Sequence, residues 1–391
     1  MKKKYLIFIM LLCISFLFLG MGAGKTEDEV LEDVSTEVDN QLGDLDFSDL
    51  EDLLAGLDEE QLKIFGDSSF VDKIKMIING EFKELGNTVI SATINLVLKQ
   101  ILDFLPLVAT ILAIGILSSM LGNLRSGKDK SLGDVIHFVC YALVLVLISS
   151  AVMQMLNLSR STLETMKAEI DILFPILLTL MTAIGGTVSV SVYQPAIALL
   201  SGSIMQIFNL VLVPIFIFSL VFAVISNLTS TVKLEKFNSF LNSCFKWLVG
   251  SMFTIFIAFM SIQGITAGSY DGISVKTAKF ALKSYVPILG GYLADGFNVI
   301  VASSVLIKNA IGACGLLLIF VSVLSPILTI VIFSLLLKLT ASILEPLSDG
   351  RISSFLFSVS KSLTMLLVIL IGVAFMFLII TALIMCSANF I

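Results

Sequence analysis

Few residues in this chain are of the types that carry out chemistry. Its one histidine, His137, stands beside Asp134 where an apolar run begins, which suits the edge of a membrane better than a general base. The five cysteines, Cys13, Cys140, Cys244, Cys314 and Cys386, are far apart. No CxxC pair is present to hold a metal or run redox chemistry, and a lone Cys in an apolar helix packs as a small hydrophobe. HExxH, GxSxG and GxxxxGKS/T are all absent, so zinc peptidase, serine hydrolase and P-loop chemistry lack their residues. The expectation is a chain that is not an enzyme and that uses no cofactor and no metal.

One stretch does set polar groups into apolar surroundings. Lys276, Lys279 and Lys283, at i, i+3 and i+7, share a helix face. Pro287 and the pair Gly290/Gly291 then break the pattern. Asp295 and Asn298 follow, and Lys308/Asn309 interrupt the next apolar run. These ten residues are the candidate cavity-lining or partner-contact set. Two readings stay open. In one, 277–308 is a re-entrant element lining a cavity, because broken backbone at membrane depth is tolerated only against protein or water. In the other, two amphipathic helices lie at the interface with their lysines snorkelling.

The elements that must position these residues follow from composition. The chain is 57% hydrophobic and 14% charged, with mean hydropathy +1.03. Soluble domains carry about 25% charged residues, so the predicted fold is all-α, a polytopic membrane helical bundle. Lys2–Lys4, an apolar run to Leu19 and small residues to Gly24 read as a cleavable signal peptide over 1–24. Residues 25–68 form an acidic arm. No basic residue stands between Lys25 and Lys63, and half of the 30 carboxylates lie there. The arm is read either as a solvated tail or as short helices docked through its recurring leucines. Residues 69–103 read as an amphipathic helix at the interface, and 104–391 as the transmembrane domain.

Charges punctuate that domain except between Ile172 and Val232, which contains none. Three crossings there put nine basic residues inside: Arg125, Lys128, Lys130, Lys233, Lys236, Lys246, Lys338, Arg351 and Lys361. Six fall outside: Arg160, Lys167, Lys276, Lys279, Lys283 and Lys308. The positive-inside rule therefore favours eight spans over seven, with the arm extracytoplasmic. Scattered loop lysines make no basic patch, which excludes nucleic acid as a partner and leaves the lipid bilayer.

The run SYVPILGGYLADGFNVIVASSVLIKNAIGACGLL (284–317) and the GG…SVYQPAIALLSG stretch around Gly185–Gly202 resemble the stage III sporulation protein AE family of endospore-forming Firmicutes. The resemblance implies a subunit of the complex joining mother cell to engulfed forespore, in the outer forespore membrane and needed for late forespore gene expression. It implies partners: a cytoplasmic secretion-type ATPase, ring-forming intermembrane-space subunits and a forespore-side protein. Homo-oligomer formation stays open. The alternative is a self-contained secondary transporter or permease, for which Asp295 and Lys308 are the only intramembrane charges in view.

Overall fold

The structure is a computed structural model that describes residues 28–43, 45–66, 68–80, 82–123, 130–228, 235–285, 290–346 and 350–387. The signal segment and Pro287 lie outside them. Among the described residues every regular element is helical. Four short helices come first: α1 (Asp28–Gly43), α2 (Ser48–Ala55), α3 (Glu59–Phe65) and α4 (Phe70–Ile78). Then come long rods: α5 (Phe82–Asn123), α6 (Lys130–Ala183), α7 (Thr187–Ile207) continuing through a π-turn into α8 (Val213–Leu228), α9 (Glu235–Tyr285), α10 (Gly290–Leu344) and α11 (Arg351–Cys386).

Among the described residues six rods are long and apolar enough to cross a bilayer, counting α7 and α8 as one. The protein is a multi-pass membrane protein. The described residues thus hold six candidate crossings where seven or eight are expected from sequence, and the difference has a local reason. Arg160, Glu164, Lys167 and Asp171 look like a loop but pair along one continuous helix, at 3.3 Å (Arg160–Glu164) and 3.1 Å (Lys167–Asp171). Such i,i+4 pairs support a helix rather than ending it. Pro195 does not start a new rod either; it lies within α7. Pro214 has no N–H for the carbonyl four residues back, and the π-turn Phe208–Leu212 just before it takes up the mismatch.

Short links make consecutive rods antiparallel. The ends Asn123/Lys130, Leu228/Glu235 and Leu344/Arg351 therefore share one pole; of the nine basic residues counted above, Lys130, Lys236, Lys246, Lys338, Arg351 and Lys361 stand on the rods toward it, and Arg125, Lys128 and Lys233 lie outside the described residues. The ends Ala183/Thr187, Tyr285/Gly290 and Cys386 share the far pole. Six crossings keep the charge partition that favoured eight.

The rods exceed what one crossing needs. At 1.5 Å per residue, the 54-residue α6 is about 81 Å long, against a hydrocarbon core of about 30 Å. Exposed side chains show where the surplus lies. Up to Met153, α6 exposes Val135, Phe138, Val139, Leu143 and Val146. Beyond it, to Asn209 on the π-turn, every exposed described position is polar, Pro, Ala or Gly, including Asn157, Ser161, Glu164, Thr179, Ser191 and Gln194. Large apolar exposure resumes at Leu210. Lipid suits the first and last of these surfaces, and water suits the middle one.

The arm folds onto the far half of the bundle. Leu42, Phe47, Leu50, Leu54 and Leu57 are buried, as are Phe70, Ile74 and Ile77 of α4. Each such side chain contributes about 1.5–3 kcal/mol. The Gln41 amide donates to Ser303 Oγ at 3.0 Å and accepts from Ser304 Oγ at 2.8 Å, fixing α1 to α10. Asp39, Asp49, Glu51, Asp52 and Asp58 remain exposed, as does Asp46. The Ser48 hydroxyl and N–H hold the Asp46 carboxyl below the usual carboxylate range. This is the docked reading of the arm. The 69–103 stretch is not one interfacial helix: α4 buries its apolar face on α10, and α5 runs unbroken through 103 to Asn123.

Small residues let α10 sit close at the centre. A Cβ on Gly315 would stand 2.2 Å from Leu173 Cδ2, and one on Gly312 would stand 2.5 Å from Met385 Cγ. Gly202 has no such neighbour within 4 Å. G315A should lower stability by about 1–3 kcal/mol through overpacking, while G202A should not, as read by thermal unfolding in detergent. In a cysteine-free background, S161C and Q194C should react with a membrane-impermeant thiol reagent from the side opposite S230C and S348C. Protection of Q194C in intact membranes, or its labelling from the basic-pole side while S161C still labels from the other, would restore the eight-crossing arrangement.

Candidate functional site at the far pole

The far pole is built from a turn without charge. Gly185, at φ +93°, and Gly186 close the end of α6, with Gly186 N–H donating to the Met181 carbonyl at 2.8 Å. Only glycine adopts that φ without strain. Helix α7 then starts with exposed N–H groups and no acid of its own. The acid comes from α9. Asp271 Oδ1 accepts from Val188 N–H and Oδ2 from Ser189 N–H, both at 2.9 Å, and the carboxylate is 0% exposed. A carboxylate at a helix N-terminus satisfies orphan donors and meets the positive end of the helix dipole.

Lys308 is the reciprocal case. It is 0% exposed on α10, and its ammonium donates to the carbonyl of Ser387 at the end of α11. A cation there meets the negative end of a helix. Ser387 Oγ lies 3.0 Å from the hydroxyl of Tyr193 on α7, itself fully buried. Four rods thus meet through Asp271, Tyr193, Lys308 and Ser387. Two buried atoms beside them in sequence, Ser189 Oγ and Asn309 Oδ1, have no partner among the described residues.

The ten candidate residues do not converge on one point. Lys276 is exposed on α9, where Lys279 and Lys283 follow; Gly290 and Gly291 open α10. Asp295 is exposed, Asn298 and Asn309 are half-buried, and Lys308 is buried. Within 277–308 the described residues are helical: those up to Tyr285 end α9 and those from Gly290 open α10, and Pro287 lies outside the described residues. Of the ten, Lys308 joins the node. Asp271 and Tyr193 were missed. The signal for Asp271 was its being the one charged residue between Trp247 and Val275, since an acid in an apolar run needs a partner. Tyr193 stands in the SVYQPAIALLSG stretch, but its type and spacing did not mark it as a polar partner.

The node fixes helix ends and holds no nucleophile–base pair, and no His/Cys/Asp/Glu group among the described residues can hold a metal. The cleft beside the π-turn is lined by apolar side chains, among them Phe208, Leu212, Val249 and Phe253. D271A leaves two buried N–H groups unmet and should cost about 2 kcal/mol. D271N, which keeps one acceptor, should cost less. Thermal unfolding of both variants in detergent measures the order.

The sequence profile described as "Stage III sporulation protein AE (spore_III_AE)" matches residues 68–388, which include the node and all six rods but little of the arm. The "Stage III sporulation protein AE" of Bacillus subtilis (strain 168) is 25% identical over 313 residues, 80% of this chain and 78% of that protein. No solved structure matches. With the match spanning the whole membrane domain, the chain belongs to the stage III sporulation protein AE family, and its role is in sporulation.

Proposed function

We propose that this chain is the multi-pass membrane subunit of a complex linking mother cell and forespore, supporting late forespore gene expression. It sits in the outer forespore membrane with its basic pole in the mother-cell cytoplasm and its far pole in the space between the two membranes. A secretion-type ATPase acts at the basic pole. Ring-forming subunits and a forespore-side protein meet the far pole, where the acidic arm is docked.

The observation that carries this reading is the family match across 68–388. The geometry supports it in two ways. Basic residues gather at one end, as the cytoplasmic end of a membrane protein requires. The surplus length of the rods, polar on α6 and α7, stands on the other side where partners in water can reach it.

Deleting the chain in its own sporulating host should leave engulfment intact and abolish a late forespore reporter, with the full chain restoring it. Normal reporter expression in the deletion strain would sink the proposal. The purified chain alone in liposomes should transport no solute; uptake by it would favour the permease alternative.

A further inference from the structure

The far half of the bundle holds a buried carboxyl that the node does not use. Glu169 on α6 is 1% exposed and packed against α10. Its Oε1 meets the hydroxyl of Ser322, and its Oε2 has no hydrogen-bond partner among the described residues. Ser322 Oγ also lies 3.0 Å from the carbonyl of Leu318, one turn back on α10. From outside, Gln61 of the arm donates to the Ser322 carbonyl at 3.2 Å and so covers the pair.

A serine hydroxyl has one proton to give and cannot serve two acceptors. If Glu169 is ionised, it takes that proton, and a bare carboxylate oxygen is left in apolar packing, at high cost. If Glu169 is neutral, its own O–H donates to Ser322 Oγ and Ser322 donates to Leu318, the usual serine back-bond in a helix. The remaining oxygen is then an uncharged carbonyl. The charged groups on the surrounding elements are engaged or turned outward. On α6, Lys167 pairs with Asp171 at 3.1 Å, and Arg160 with Glu164. On α10, Lys308 donates to Ser387. On α4, the Lys73 ammonium lies 5.4 Å from the Phe65 ring centre. Glu59 and Lys63 on α3, and Asp49, Glu51 and Asp52 on α2, are exposed, as are Lys99 and Asp103 on α5.

We propose that Glu169 is a proton-binding site, a carboxyl held between α6 and α10 in its protonated form, covered by the arm and able to exchange its proton. This goes beyond the sporulation reading and does not rest on it. Infrared difference spectra between the full wild-type chain and E169Q, both in lipid vesicles near neutral pH, test it. Wild type should show the carbonyl stretch of a protonated carboxyl, and E169Q should lack it. The band should shift in D2O and be lost as pH is raised. S322A, which keeps Glu169 but removes its acceptor, should displace the band. Loss of ionised-carboxylate bands in E169Q, with no protonated band in wild type, would overturn the proposal. So would a protonated band that never exchanges with D2O, which would make Glu169 a fixed neutral strut. Because E169Q replaces one uncharged hydrogen-bonding group by another of the same shape, its circular dichroism should match wild type.

Discussion

A charge carried into an apolar bundle must be neutralised where it stands, and here helix ends do it. Asp271 and Lys308 are both fully buried, yet each answers a backbone terminus: the N–H groups opening α7 and the carbonyl closing α11. A buried ion pair offsets its own desolvation only with good geometry. Backbone ends are fixed by the helices themselves, so little ordering remains to be done. The consequence is mechanical. Rods distant in sequence, 83 residues apart for Asp271 and Val188 and 79 for Lys308 and Ser387, are pinned at one pole.

The level of that pinning ties it to the length of the rods. Asp271 stands 36 residues from the Glu235 end of α9, and Lys308 stands 36 residues from the Leu344 end of α10. Both are about 54 Å from the basic pole, well past one hydrocarbon core. Ser322, which faces Glu169, is 22 residues from Leu344, or about 33 Å. Nearer the basic pole, buried polar contacts are neutral instead: Ser219 with Asn238 at 2.8 Å and Ser362 at 3.0 Å, and Ser334 with Ser360 at 2.9 Å. Neutral pairs suit a lipid-flanked layer, where an ionised group is most costly. Ionisable groups are kept for the layer beyond.

Much of this was legible in sequence, and the rest was hidden for definite reasons. Apolar runs identify a multi-pass bundle, because hydropathy is a local property. Small residues are a weaker signal: Gly312 and Gly315 meet a neighbouring rod closely, whereas Gly202, of the same type, has no neighbour within 4 Å. More crossings were expected than there are candidate rods because Arg160 to Asp171 breaks hydropathy without breaking the helix. Loop and solvated helix look alike in composition, and only i,i+4 pairing separates them. Lys308 was singled out for standing in an apolar run. Its partner could not be found that way, since a backbone carbonyl has no residue type to recognise. Asp271 was legible by the same rule and was passed over.

The arm shows how a compositional signal can mislead about structure while remaining true about surface. Asp39, Asp46, Asp49, Glu51, Asp52, Asp58 and Glu59 face outward, as expected of a solvated acidic segment, while Leu42, Phe47, Leu50, Leu54, Leu57 and Phe65 are buried. Net charge describes the outer face; the spacing of Leu50, Leu54 and Leu57 decides the fold. The same docking covers Ser322 and Glu169 through Gln61. A segment lying almost wholly outside the family match thus closes over a buried acid of the bundle within it. Undocking the arm would carry Gln61 away from the Ser322 carbonyl, on the residue whose hydroxyl meets Glu169.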